Sequence, residues 1–138
     1  MAAGKQYVFD ANVIVSALLL PDSLPRRAFD KAYRQGKILL SAATILELDD
    51  VLRRPRLDRY LHEDERIDFL LHLIRESVIT PVTVTITDCR ETKDSKYLEL
   101  AVSARATCLV TGDQDLLVLH PYRDIPIVTP RVFLEGDL

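Results

Sequence analysis

The sequence predicts an α/β protein, a central and mostly parallel sheet of about five strands with helices on both faces. Three observations lead there. Short apolar runs such as Tyr7-Val8-Phe9 and Cys108-Leu109-Val110 alternate with longer amphipathic stretches. The order of elements contains no tandem hairpins, so successive strands need helical crossovers. At 138 residues, with 48% hydrophobic and 28% charged residues, the chain is large enough for one buried core. It shows no repeat, linker or low-complexity tract, and residues 1–138 are read as a single domain.

Residues 5–9 read as a first buried strand, followed by a short apolar helix over 12–20 that Pro21 stops. Ser23-Leu24-Pro25 is a helix-start signal, and Gly36 is placed to end that helix after Gln35. Residues 38–40 form a second strand. Ser41 can cap the next helix, in which Ile45, Leu48 and Leu52 recur at core-facing spacing until Pro55. Residues 57–61 fit a turn of helix. Residues 63–76 fit an amphipathic helix with Ile67, Leu70, Leu71 and Ile74 on its apolar stripe and acids in its first turn.

Val82, Val84 and Ile86 alternate with Thr83, Thr85 and Thr87, which predicts a strand over 82–86 with one wetter face. A helix is expected over 94–105, with Leu98, Ala101 and Val102 inward. Residues 107–111 make a buried strand, Gly112 a turn, and 115–119 a short helix. A last strand over 125–128 and a helical turn over 130–134 complete the chain.

Bulk properties exclude several classes. No apolar run approaches the roughly 20 residues of a membrane span, and Met1-Ala2-Ala3-Gly4-Lys5 lacks the apolar centre of a signal peptide. A cytoplasmic protein is expected. Cys89 and Cys108 are too few for a disulfide framework and too far apart for a metal clip. His62, His72 and His120 form no ligand spacing and read as incidental. Neither a dinucleotide fingerprint nor a phosphate-binding loop occurs. A net charge of −3 argues mildly against nucleic acid. Basic residues nevertheless cluster, as Arg26, Arg27, Lys31, Arg34 and Lys37, and again as Arg53, Arg54, Arg56 and Arg59.

The feature with most chemical content is a set of acids placed after apolar runs. Asp10 follows Tyr7-Val8-Phe9, Glu47 lies seven residues after Leu40, Asp94 follows the 82–86 run, and Asp113 follows Leu109-Val110. If those runs are parallel strands, all four carboxylates gather at the carboxyl edge of one sheet, where α/β folds bind ligands. Oxygen-only donors of this kind suit Mg²⁺ or Mn²⁺ better than zinc. Crowded carboxylates raise one another's pKa unless a cation joins them. Asn12 could orient Asp10, Thr111 could hold a water or a phosphate through its hydroxyl, and Asp115 is a fifth acid. Taken singly, Asp94 and Asp115 are ordinary helix caps, Glu47 a solvated helix residue and Asp113 a turn residue. Their coincidence outweighs those readings.

The same residues carry a resemblance. Val8-Phe9-Asp10-Ala11-Asn12-Val13-Ile14-Val15-Ser16-Ala17 resembles the opening motif of PIN domains. Ser41-Ala42-Ala43-Thr44-Ile45-Leu46-Glu47-Leu48, followed by Val51-Leu52-Arg53-Arg54-Pro55, is similar to their second motif. Cys89-Arg90-Glu91-Thr92-Lys93-Asp94 with Leu98-Glu99-Leu100-Ala101 resembles the third. Leu109-Val110-Thr111-Gly112-Asp113-Gln114-Asp115-Leu116-Leu117 resembles the fourth, and Thr129-Pro130-Arg131-Val132-Phe133-Leu134 the usual ending. Glu91 stands where Asp is common, and Ser95 where Asn or Asp is frequent.

The resemblance spans nearly the whole chain and is closest to the VapC-like toxins of toxin–antitoxin pairs. It implies a Mg²⁺- or Mn²⁺-dependent ribonuclease with Asp10, Glu47, Asp94 and Asp113 as catalytic metal-binding acids and Asn12, Thr111 and Asp115 in support. It further implies a homodimer, an RNA substrate and a small antitoxin partner. Whether Asp113 or Asp115 is the closer ligand, and whether one metal binds or two, stay open. A PIN nuclease that processes RNA without being a toxin, and an inert PIN-like binding module, are the alternatives. An aspartyl phosphatase would want an acid where Asn12 stands.

Overall fold

Alternation along the first strand sets the architecture. In the computed structural model, which describes residues 4–138, β1 (Lys5–Phe9) sends Tyr7 and Phe9 into one apolar cluster and Val8 into another. After β1 come α1 (Ala11–Leu19), α2 (Leu24–Gln35), β2 (Gly36–Leu40) and α3 (Ala42–Leu52). Then follow α4 (Glu63–Glu76), β3 (Val78–Ile79), α5 (Ser95–Ala104), β4 (Cys108–Val110), α6 (Gln114–Leu117), β5 (Ile127–Val128) and α7 (Pro130–Glu135). Single 3₁₀ turns at Pro55–Leu57 and Thr92–Asp94 complete the described elements.

The strands form one five-stranded sheet in the order β3-β2-β1-β4-β5, and every pairing is parallel. Residues of α1, α2, α3, α4 and α7 pack on the face of Tyr7, Phe9, Ile38, Leu40 and Val110. Those of α5 and α6 pack with Val8, Leu39 and Leu109 on the other. Covering both faces is what lets Ile38-Leu39-Leu40 and Cys108-Leu109-Val110 be apolar without interruption. From β1 the chain steps outward through β2 and β3, then returns to the opposite side of β1 as β4 and β5. The strand order therefore reverses between β1 and β4, which opens a crevice at their carboxyl ends.

Local chemistry fixes the helix starts. Ser23 accepts from the Arg26 N–H at 3.3 Å, with Pro25 in the first turn of α2. Ser41 and Thr44 exchange side-chain and backbone hydrogen bonds at the start of α3. Gly36 does not end α2 in a left-handed cap. It is extended and opens β2 opposite Lys5, where an added Cβ would lie 1.9 Å from the Lys5 carbonyl oxygen. Close approach of two backbones requires the glycine.

The strand expected over 82–86 does not form. The third strand is Val78–Ile79, paired with Leu39 and Leu40 of β2. The threonine-rich segment instead lies against α5, where Thr83 N–H donates to Ser103 Oγ and Ile86 N–H to Glu99 Oε2, each at 2.9 Å. Side chains of a helix satisfy this backbone, so it needs no neighbouring strand. Its alternation was a record of burial, with Ile86 inward and Thr83, Thr85 and Thr87 exposed. In α4, Leu73 is the buried residue, while Ile67 and Leu71 are exposed. His120 is not incidental, since its Nδ1 accepts from the Ile127 N–H at 2.9 Å. Both cysteines are free and buried. Among the described residues no helix is long and apolar enough to cross a membrane.

Candidate metal centre

Asp10 is the first residue past β1. The ring of Phe9 before it meets Phe29 and Phe133 edge to face, at 5.7 and 6.0 Å between centroids, which pins the strand end. Asp10 is buried, and its Oδ1 accepts from the Val13 N–H at 2.8 Å, capping α1. Its Oδ2 accepts from the Thr111 hydroxyl, and that hydroxyl oxygen in turn accepts from the Asp113 N–H at 3.0 Å. Thr111 is fully buried. Its hydroxyl is thus committed to Asp10 rather than offered to a water or a phosphate. Burial pushes the Asp10 carboxyl above its ordinary pKa, against the pull of the Thr111 and Val13 hydrogen bonds, and the charge of Asp113 adds to the rise.

Three more acids converge in a group that does not include Asp10, although its charge acts on Asp94. Asp94, Asp113 and Asp115 each bring a carboxylate oxygen to within 4.8 Å of the others. Asp113 caps α6 and accepts from the Asp115 N–H at 2.9 Å, so the loop after β4 presents both acids together. Asp94 ends the 3₁₀ turn that leads into α5 and makes no side-chain cap there. Its Oδ2 is buried with no hydrogen-bond partner among the described residues. Burial, then the proximity of Asp113, raises its pKa to about 7. An orphaned buried carboxylate oxygen beside two other carboxylates is costly as it stands and matches the needs of a hard cation. The donors present fit Mg²⁺ or Mn²⁺.

Glu47 lies in the second turn of α3 and stands apart from those three. Its Oε2 lies 2.5 Å from Lys96 Nζ on α5, with both side chains largely shielded. Tyr97, the next residue, is buried, and its hydroxyl oxygen accepts from the Ala11 N–H at 3.1 Å. Burial raises its pKa, and the charges of Glu47, Asp10 and Asp94 add to the rise, which places this phenol among the acids. Asn12 is exposed on α1 and lines, with Asp10, Ser16, Gly112 and Asp113, a cavity of about 480 Å³.

Residues 6–115 match the PIN domain family model, which is most of the chain. The chain belongs to the PIN domain family. Members of this family are generally nucleases, which are hydrolases. This PIN domain is 28% identical to the uncharacterized protein MJ1680 of Methanocaldococcus jannaschii, across 93% of this chain and 88% of that one. Its fold is similar to PAE2754 of Pyrobaculum aerophilum, with a TM-score of 0.61 at 17% identity over 95% of this chain and 88% of the other. It is also similar to a chain of the crystal structure of VapBC2 from Rickettsia felis bound to a promoter DNA fragment. There the TM-score is 0.60 at 12% identity, over 90% of this chain and 98% of that one. Likeness at such identities speaks for the fold.

Two residues beside the candidate acids of this PIN domain escaped sequence reasoning. Lys96 and Tyr97 lie two and three positions after Asp94, so the first turn of α5 carries acid, cation and phenol together. A half-buried Glu47 calls for a cation, and a buried tyrosine for a partner to its hydroxyl. Both signals were present but needed the packing of α3 against α5 to be read. Asp94 itself follows no strand, contrary to expectation. It reaches the crevice because the segment after β3 runs along α5 before turning inward.

Proposed function

We propose that this PIN domain is a Mg²⁺- or Mn²⁺-dependent endoribonuclease. The observation that carries the reading is the unpartnered, buried Asp94 Oδ2 beside Asp113 and Asp115, at the crevice where the strand order reverses. Asp10, Glu47, Asp94 and Asp113 are the acids assigned to metal and catalysis, with Asn12, Thr111 and Asp115 in support. When bound, the cation would supply Lewis-acid stabilisation of phosphoryl charge and an acidified water. Asp94, whose pKa burial raises to about 7, would give up its proton to hold it. Thr111 would hold Asp10 in place, and Lys96 would hold Glu47.

RNA is the assigned substrate, as single strands or loops, because an unpaired strand can bend its backbone into a cleft that a duplex cannot enter. The similarity in fold to a chain of the Rickettsia felis VapBC2 structure motivates a further assignment, that of a toxin held by a small antitoxin protein. A homodimer in the cytoplasm belongs to the same proposal. A labelled single-stranded RNA incubated with the protein and Mg²⁺ or Mn²⁺ tests the enzymatic claim. Cleavage should stop with chelator and be abolished by Asp10→Asn and by Asp94→Asn. Cleavage persisting undiminished in both variants would refute it. Growth arrest on induced expression, relieved by Asp10→Asn, separates a toxin from a processing nuclease.

A further inference from the structure

Beyond the acids, α1 carries a second groove. Asn12 and Ser16, one helical turn apart, line the cavity beside Asp10 and Asp113. The same two residues line an adjacent cavity of about 590 Å³ whose far wall includes Arg56, Arg59 and Tyr60. The two cavities adjoin along a polar stripe of α1, where Asn12 and Ser16 line both. The second cavity follows α1 from Asn12 to Leu19, a run of roughly 10 Å at the helical rise.

The chemistry of its wall is distinct from that of the acids. Tyr60 is 62% exposed, although a tyrosine ring has much to gain from burial. The guanidinium of Arg59 lies 5.8 Å from its ring centroid, so a cation already sits against the aromatic face. The neighbouring arginines are engaged elsewhere, Arg53 with Asp49 at 3.0 Å and Arg54 with Asp50 at 3.9 Å. Arg56 and Arg59 have no carboxylate partner among the described residues. Asp58, the one acid in this stretch, is turned to Arg66 at 3.5 Å. An exposed ring with one guanidinium against it and a second on the same cavity wall, neither paired with a carboxylate, is a platform for a base and its flanking phosphates.

We infer that Tyr60, Arg59 and Arg56 form a nucleotide-binding subsite in which a base of single-stranded RNA stacks on Tyr60 and its flanking phosphates meet the two arginines. The subsite rests on the nuclease reading for its place in a reaction, and it deepens that reading. It gives the substrate a path along Asn12 and Ser16 toward the acids, and it adds positive charge beside them in a protein of net charge −3. It selects unpaired RNA, because a paired base offers no free face to Tyr60.

The test uses the full chain carrying Asp10→Asn, so that bound RNA survives, and a short single-stranded RNA containing 2-aminopurine. Binding should quench the fluorescent base. Tyr60→Ala in that background should abolish the quench and weaken binding about ten-fold. Arg56→Ala and Arg59→Ala should each lower the slope of log affinity against log salt by about 0.7. Equal binding, quench and salt slope in all three variants would overturn the subsite, and would leave the surface to a protein partner. Absence of RNA cleavage by the parent protein with Mg²⁺ or Mn²⁺ would instead strike the nuclease reading, so the two failures are distinguishable.

Discussion

The Thr111 hydroxyl donates to Asp10 Oδ2, joining the carboxyl ends of β4 and β1 through one buried side chain. Because the same oxygen accepts from the Asp113 N–H, it also sets the loop that presents Asp113 and Asp115. Thr111→Val keeps the shape and removes both bonds. A hydrogen bond to a charged group contributes about 1.5–3 kcal/mol, and denaturant unfolding at neutral pH should show a loss of that size. Thr111→Ser should recover most of it. Equal stability of Thr111→Val and the parent protein would contradict the assignment.

Protonation of Asp94 gives a second expectation. Its folded pKa of about 7 lies above the ordinary 3.8, so between those values the folded protein binds more protons than the unfolded chain. Stability of the metal-free protein should therefore be fullest below about pH 4 as far as this group is concerned, and decline as pH rises through 7. Asp10, also raised by burial, adds in the same direction. Thermal unfolding in chelator should show this decline, and Mg²⁺ or Mn²⁺ should reverse it at pH 8. A metal-free melting temperature that climbs steadily from pH 5 to pH 8 would contradict it.

The Lys96–Glu47 pair, at 2.5 Å, ties α5 to α3. With only 19% and 26% of these side chains exposed, it should exceed the median surface ion pair. A double-mutant cycle with Lys96→Met and Glu47→Gln should return a coupling of about 1 kcal/mol. Strict additivity of the two single changes would show the pair to be inert.

Gly36 tests the backbone approach between β1 and β2. With a Cβ placed 1.9 Å from the Lys5 carbonyl oxygen, Gly36→Ala must push two paired strands apart. A loss of about 1–3 kcal/mol is expected from overpacking of this kind. An alanine variant as stable as the parent would mean that the pairing can slide.

Much of this was legible from residue order. The runs at Tyr7-Val8-Phe9 and Thr107-Cys108-Leu109-Val110 marked the two strands that flank the crevice, and the caps at Ser23 and Ser41 marked the starts of α2 and α3. The error over 82–86 has a physical source. Alternating burial against a helix leaves the same pattern as alternating burial in a sheet, and only Ser103 and Glu99 reveal which backbone partner was chosen. Asp94 was selected for following a strand that does not exist, yet it reaches the crevice from the turn before α5. Asp113 and Asp115 could not be ranked by sequence because the loop after β4 delivers both. Lys96 and Tyr97 depend on contacts across 49 and 86 positions, beyond the reach of local pattern.

The central claim is that Asp94 lacks a partner because a divalent cation is its partner. Mn²⁺ titration by calorimetry, on the full chain and on Asp94→Asn at pH 8, tests it most directly. The account predicts saturable binding to the parent protein, loss of that binding in Asp94→Asn, and a metal-free variant at least as stable as the parent because one buried charge is gone. Absence of binding to the parent, or equal binding to both, would contradict it.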